Sequence, residues 1–238
     1  MNRLPLAAVA VADLPSAGAA DSSLDLYRPE RYRIREIDGQ LQRRTYEALL
    51  EQTYGALGFP LAGLRPTDDS RCFLLEFGAQ TAATFRLTPV DDGDHHFRRV
   101  LPRATRADGA PLRLLEVNNV IVVPRFRATI ALGLLLRHSA LHAAAHGYDF
   151  IVGLTRYQVL RHFVEFGVVP VDHEPLHLLG RDDLLDFTIY YDTASPASCA
   201  YIEQRAQRYF HQQYVLRSID EKYGRAQRRL QAAVPAAA

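Results

Sequence analysis

The stretch Leu114–Val171, "LLEVNNVIVVPRFRATIALGLLLRHSALHAAAHGYDFIVGLTRYQVLRHFVEFGVVPV", decides the fold. It begins with β-branched and aliphatic residues, a strand that Pro124 stops because proline has no N–H to give a ladder. A helix follows from about Thr129 to His146. Leu132, Leu134, Leu135, Leu136 and Leu141 make it apolar nearly all round, so it packs on more than one side. Gly147 supplies its C-terminal stop. "DFIVGLT" reads as a buried strand, "RYQVLRHFVEF" as a short helix stopped at Gly167, and "VVPV" as another strand. Between the first strand and the long helix lies "PRFRATIAL", Pro124–Leu132. Loops that cradle phosphate at that place carry glycines, and this one has none.

Upstream, "RCFLLEFGAQTAATFRLTPV" (Arg71–Val90) holds two runs of strand formers around "GAQ", a β-hairpin. Before it, Leu26–Ile37 alternates like a strand, and Leu41, Tyr46, Leu49, Leu50 and Leu57 mark a helix ended near Gly58 and Pro60. Residues 91–111 read as loop with one apolar island at Val100 and Leu101. Downstream, "LLDFTIYYD" is a final strand. The order predicts an α/β fold: a central mixed sheet flanked by helices, with a C-terminal helical extension. Residues 1–25 are expected to be a disordered Ala-rich tail, 26–194 the α/β domain, and 195–238 the helical extension and disordered C-terminus.

The chain has 238 residues, 48% of them hydrophobic, enough for one sizeable core. Its net charge of +1 advertises no nucleic-acid partner. Lys222 is the only lysine; every other basic residue is arginine. Cys72 and Cys199 lie far apart, form no metal-type pair and suit a reducing, cytoplasmic location. No run reaches the roughly 18 uninterrupted apolar residues that span a bilayer. The first residues, "MNRLPLAAVAVADLPSAGAADSS", imitate a secretory signal only crudely, with Pro5, Asp13 and Pro15 interrupting.

On these residues the chain resembles the GCN5-related N-acetyltransferase fold: strand and helix, hairpin, a strand leading to a donor loop and helix, then strand, helix and strands. "VVPRFRATIALGLLLRHSALHAAAHGYDFIVGLT" is similar in spacing to that fold's central motif. "FRLTPVDDGDHHFRRVLPRATRADGAPLRLLEVNNVIV", the "LLEF…FRL" hairpin and "FGVVPVDHEPLHLLGRDDLLDFTIYYD" resemble one branch, the acyl-homoserine-lactone synthases and long-chain N-acyl amino acid synthases. The resemblance spans roughly Tyr32 to Asp192. It implies an N-acyltransferase that moves an acyl group, long-chain in that branch, from an acyl carrier protein or acyl-CoA thioester to an amine such as an amino acid. No tightly bound cofactor is implied; the acyl-phosphopantetheine is a substrate. The chain departs from the pattern in several places. Ala128, Ile130 and Leu132 take glycine positions, and Phe163 stands where a tyrosine usually protonates the leaving thiolate. No arginine follows Glu116, and there is no tryptophan. Synthesis of a homoserine lactone is therefore not expected. A glycine-poor loop suits a donor that brings a single phosphodiester on a carrier protein.

Amide formation from a thioester needs a neutral amine and donors for the developing oxyanion. Glu116, a carboxylate inside an apolar strand, is the expected base, with a pKa raised by burial. Arg86 ends the hairpin strand towards the same cleft, to bind an acceptor carboxylate or pair Glu116. Asn118 and Asn119 are the acceptor-side candidates; strand alternation lets only one of them point at the cleft. Ile121, Val122 and Val123 offer main-chain donors to the acyl thioester, and Arg125, Arg127, Ala128 and Thr129 form the donor loop. Tyr157 or His162 can stand in for the missing tyrosine. His138, His142 and His146 recur on one helix without a carboxylate or cysteine ligand, so they read as packing residues and no metal is expected. "DGDHH" at Asp92–His96 reads the same way. No Gly-x-Ser-x-Gly, Walker or CxxC motif is present.

Expected partners are an acidic acyl carrier protein and a small amine. Arg28, Arg31, Arg33 and Arg35, with the basic tail from Arg205 to Arg229, offer the carrier a cationic surface. Alternatively the tail packs Tyr201, Phe210, Tyr214 and Leu216 on the body or on a second copy, a homodimer through C-terminal helices. Two other readings stand beside the acyltransferase: an inactive fold that only binds acyl groups or their carrier, and a small-acyl CoA-dependent acetyltransferase.

Overall fold

The computed structural model describes residues 23–59, 61–91, 95–101, 105–177 and 185–233. Among them the strands are β1 (Tyr32–Glu36), β2 (Arg71–Phe77), β3 (Gln80–Val90), β4 (Leu114–Val122), β5 (Phe150–Arg156), β6 (Val169–Pro170), β7 (Leu176–His177) and β8 (Leu185–Asp192). The α-helices are α1 (Gln40–Tyr54), α2 (His96–Val100), α3 (Ala131–Ala145), α4 (Tyr157–Glu165) and α5 (Pro196–Ala233). One mixed sheet runs β1-β2-β3-β4-β5-β8-β6, with β7 on β8. β4 and β5 are parallel, which requires a crossover, and α3 supplies it. This is the predicted α/β architecture.

Period-two alternation divides the sheet's faces. Phe73, Leu75 and Phe77 of β2 and Ala83, Phe85 and Leu87 of β3 join Leu134, Leu135 and Ala140 of α3 in the main core. Ile202, Ala206 and Phe210 of α5 pack there too. Phe166 and Phe210 press on α3 at Gly133, where a Cβ would lie 2.6 Å from the Phe166 ring. The opposite face carries two smaller clusters. Tyr46 and Leu50 of α1 pack on Leu74 and Ile121, and Phe97 of α2 packs among Val90, Leu114, Phe150 and Val152. Each such phenylalanine or leucine contributes roughly 1.5–3 kcal/mol of burial.

Four expectations are corrected. Residues 26–31 are not strand but two 3-10 turns, Ser23–Tyr27 and Pro29–Arg31; Pro29 fixes φ and has no N–H for a ladder. Ser23–Asp25, expected in the disordered tail, form part of the first turn; residues 1–22 lie outside the described residues. The apolar island in the 91–111 loop is a short helix, α2, because Phe97 buries itself and the His95 ring accepts its N–H. Of "DGDHH", only His95 and His96 fall within the described residues. The fourth correction is in β4, and it shapes the cleft.

Candidate active site

β4 and β5 share only three rungs, Leu114–Phe150, Leu115–Ile151 and Glu116–Val152. Beyond them the strands part, and from Val117 onward β4 has no ladder partner in β5. Gly153 sits at the parting point: a Cβ there would lie 2.9 Å from the Val117 carbonyl oxygen, so only glycine lets the strands touch before they separate. The result is a fork in which β4 beyond Glu116, its last rung, has an edge that no β5 rung pairs.

On its other edge β4 stays paired with β3, but the register slips by one between Thr84–Ile121 and Arg86–Asn118. The extra residue lies in β4, where Asn119 takes φ +51°. A left-handed conformation costs an ordinary residue roughly 1–2 kcal/mol, and asparagine tolerates it best after glycine. Two bonds hold it: Asn119 Nδ2 donates to the Tyr46 hydroxyl (3.1 Å) and to the Leu64 carbonyl (2.8 Å). The bulge breaks the alternation expected of the two asparagines. Asn118 Oδ1 accepts from Arg86 Nε at 2.6 Å, and Arg86 Nη1 donates to the Leu64 (2.9 Å) and Arg65 (2.7 Å) carbonyls. Both asparagines therefore reach the same side, towards the Leu61–Leu64 turn.

Arg86 is only 7% exposed. It clamps that turn to the sheet and, through Asn118, orients the neighbouring carboxyl. Burial pushes the Glu116 carboxyl up, against the opposing pull of Arg86, His95 and a hydrogen bond from Asn118. A carboxyl raised by burial yet held by fixed donors has the environment of a general base. Further along the same face, His96 Nε2 lies 2.9 Å from Thr188 Oγ1, and Arg156 sits over the Phe59 ring. Tyr54 packs edge-on against Phe59, and its phenol, pushed up by burial, feels Arg156, Arg86 and Asp186. The cleft is thus walled by α1 and α2 and floored by β3, β4, β5 and β8.

The donor loop behaves differently from its reading in sequence. Ile130 is fully buried in the main core, so its side chain turns away from the loop surface, and Ala128 is exposed and small. The missing glycines therefore leave the loop surface uncrowded at those two positions. Thr129 is an internal cap: its Oγ1 donates to the Phe126 carbonyl (2.7 Å) and accepts from the Ala131 N–H (3.2 Å). Tyr27 donates to the Ala128 carbonyl at 3.0 Å, laying the first 3-10 turn over the loop. Val123 closes β4 by donating to Ala82, and Val122 accepts from Arg127 Nε. Arg125 holds Gln80; both loop arginines are exposed.

Among the other predicted residues, Phe163 is buried in the core while Tyr157 is 72% exposed. Among the described residues no cluster of three or more His, Cys, Asp and Glu side chains can hold a metal. His142 and His146 instead receive Arg71 Nη1, each at 3.2 Å, on the far side of the sheet from the cleft. Two depressions of about 370 and 650 Å³ open beside α5 and contain none of the predicted site residues. Sequence reading missed Tyr46, Tyr54, Phe59, Arg156 and Asp186. Only an asparagine pair inside a strand hinted at the bulge.

A central sheet that forks after its fourth strand, with a helical crossover behind the fork, defines the GCN5-related N-acyltransferase fold. No family model matches the sequence, and no curated protein does at a significant level. Solved structures match the fold. FeeM, an N-acyl amino acid synthase from uncultured soil microbes, aligns with a TM-score of 0.55 at 15% identity, over 68% of this chain and 91% of FeeM. Arabidopsis thaliana NAA60 in complex with acetyl-CoA gives 0.53 at 8% identity, over 68% and 98%. A probable acetyltransferase from Staphylococcus epidermidis gives 0.50 at 13% identity, over 68% and 99%. No helix among the described residues is long and apolar enough to cross a membrane.

Proposed function

We propose that the protein is an N-acyltransferase that moves an acyl group from a phosphopantetheine thioester to a small amine. The observation that carries this reading is the placement of Glu116 at the last rung before β4 and β5 part. An acyl-pantetheine arm laid along the open edge of β4 brings its thioester carbonyl beside that carboxylate. Glu116 takes a proton from the acceptor amine, directly or through water. The nitrogen attacks the carbonyl carbon, and the Val122 N–H, which alternation turns to the open edge while the Val123 N–H bonds Ala82, receives the oxyanion. The C–S bond breaks, and the thiolate takes the proton that Glu116 removed from the amine. Asn118 and Arg86 hold Glu116 in place; Asn119, spent on Tyr46 and Leu64, shapes the fork.

Two features bear on the donor. FeeM, an N-acyl amino acid synthase, and NAA60, whose structure contains acetyl-CoA, support thioester chemistry on this fold. The exposed Arg125 and Arg127 beside the loop favour a donor with a phosphate and an acidic body, so we favour long-chain acyl carrier protein over acetyl-CoA. Incubating the protein with acyl-carrier and acyl-CoA thioesters and a pool of amines, then reading amides by mass spectrometry, tests both points. Amide formation is expected, fastest with the carrier. Better turnover with acetyl-CoA would replace the donor assignment, and binding without any amide would favour an inactive acyl-binding module.

A further inference from the structure

Asp186 is the group in the cleft that this chemistry leaves unused. It lies on β8, opposite Arg156 of β5, and is 3% exposed. Its Oδ2 has no hydrogen-bond partner among the described residues. Among the described residues the ion-pair partner of its Oδ1 is Arg156 Nε, at 4.0 Å, the outer limit of an ion pair. Thr188, two residues on and on the same face, is satisfied by His96. Leaving a buried acceptor unpaired costs about 1–3 kcal/mol, more when charged. Such a group in a cleft calls for a partner from outside.

We propose that Asp186 forms a subsite for a second, cationic nitrogen of the acceptor, so that the preferred acceptor is a long diamine rather than a monoamine. This deepens the acyltransferase reading, and rests on it for the identity of the first nitrogen. An orphan carboxylate oxygen can only accept hydrogen bonds, and its charge selects a cation over an anion. The adjacent Phe59 ring already receives one cation, the Arg156 guanidinium, 5.7 Å from its centroid. Arg156 is held loosely at the carboxylate and its side chain is 33% exposed, so an incoming ammonium can displace it and take its place. Burial pushes the carboxyl of Asp186 up while Arg156 opposes, as expected of a site completed by added positive charge.

The sheet sets the length of the acceptor. Glu116 pairs with Val152 and Asp186 with Arg156, so the two carboxylates lie on strands either side of β5, four residues apart along it. A rise of about 3.3 Å per residue and a strand spacing of about 4.8 Å put their Cα atoms roughly 16 Å apart. Side chains leaning towards each other leave roughly 10 Å between the two nitrogens, the span of a chain of about six to eight carbons.

Calorimetric titration of the full chain with 1,7-diaminoheptane and with heptylamine tests the subsite without any donor. The diamine is expected to bind about tenfold more tightly, and Asp186→Asn to erase the difference. Equal or undetectable binding of the two amines, or a preference that survives Asp186→Asn, overturns the proposal. If Asp186→Asn does not fold, Arg156→Gln decides instead: removing the resident cation should widen the preference, and an unchanged or smaller one overturns it. Thiol release from an acyl thioester with the same amines separates the two readings. Release with heptylamine but no diamine preference leaves the reaction standing and removes the subsite. Diamine-selective binding without release on any acceptor leaves the subsite and removes the reaction.

Discussion

The β2–β3 hairpin carries two arginines whose surroundings are opposites. Arg71, at the start of β2, is half-exposed and saturated: Nε donates to Glu36 at 2.8 Å, and Nη1 reaches His142 and His146. Arg86, near the end of β3, is buried and works on main-chain carbonyls, an asparagine and the field around Glu116. Around Arg71 the charged groups satisfy one another and face water. Around Arg86 and Arg156 two carboxyls sit raised by burial, and one oxygen has no hydrogen-bond partner among the described residues. Charge density alone does not mark a site here; polar groups held where solvent cannot finish their bonding do.

Changes at the two clusters should therefore differ in kind. The largest effect is expected from Glu116→Gln, which should lower amide formation by about 10²-fold or more without changing the melting temperature. Turnover of the wild type should rise with pH through the raised Glu116 pKa, because only the carboxylate accepts the proton, and steady-state rates across pH would show that limb. Unchanged turnover in the variant would make the cleft cluster as inert as the Arg71 one.

Next in size is the bulge. Asn119→Ala should destabilise the fold by about 1–3 kcal/mol, losing two buried bonds at a left-handed residue, whereas Asn119→Gly should recover the backbone part. Denaturant melts of the two variants separate these contributions. Reversing Arg125 and Arg127 to glutamate should raise the KM for a carrier-protein thioester about tenfold and flatten its salt dependence. An unmoved KM would place the carrier elsewhere.

The smallest effects belong to the Arg71 cluster. Arg71→Ala should cost about 1 kcal/mol or less, as for other half-exposed ion pairs, with no change in amide formation. Its pH signature has a definite sign. His142 is pushed down to about 4 by burial first, then by His146 and Arg71. The unfolded chain then binds a proton that the folded one refuses, so stability is full above the ordinary histidine value near 6.5 and is lost as pH falls towards about 4. Melting temperatures across that window, with His142→Phe flattening the slope, check it.

The crossover was legible because α3 is apolar on nearly every side and Gly147 ends it, and the hairpin because its two runs carry strand formers. Glu116 stood out as a carboxylate in an aliphatic strand. The rest of the cleft did not, since its partners are long-range. Tyr46 reads as one apolar mark in a helical period, and nothing local says that its hydroxyl receives Asn119. Tyr54, Arg156 and Asp186 come together only once β5 and β8 pair. The glycine-free loop misled in the opposite way: whether Ile130 faces the donor or the core is settled by tertiary packing, not by its identity.

The last helix has a consequence for motion. Ile202, Ala206 and Phe210, spaced four apart, seat its first half in the core, whereas Leu216, Ile219 and Tyr223 are more than half exposed. At about 1.5 Å per residue its 38 residues extend roughly 57 Å, longer than a small domain is wide. Amide hydrogens along it should exchange in two regimes, slowly up to Tyr214 and quickly beyond Gly224, where Gly224 itself weakens the helix by about 1 kcal/mol. A fluorophore near residue 228 should depolarise faster than the body tumbles, so the far end moves as a lever whose stiffness comes from its own backbone.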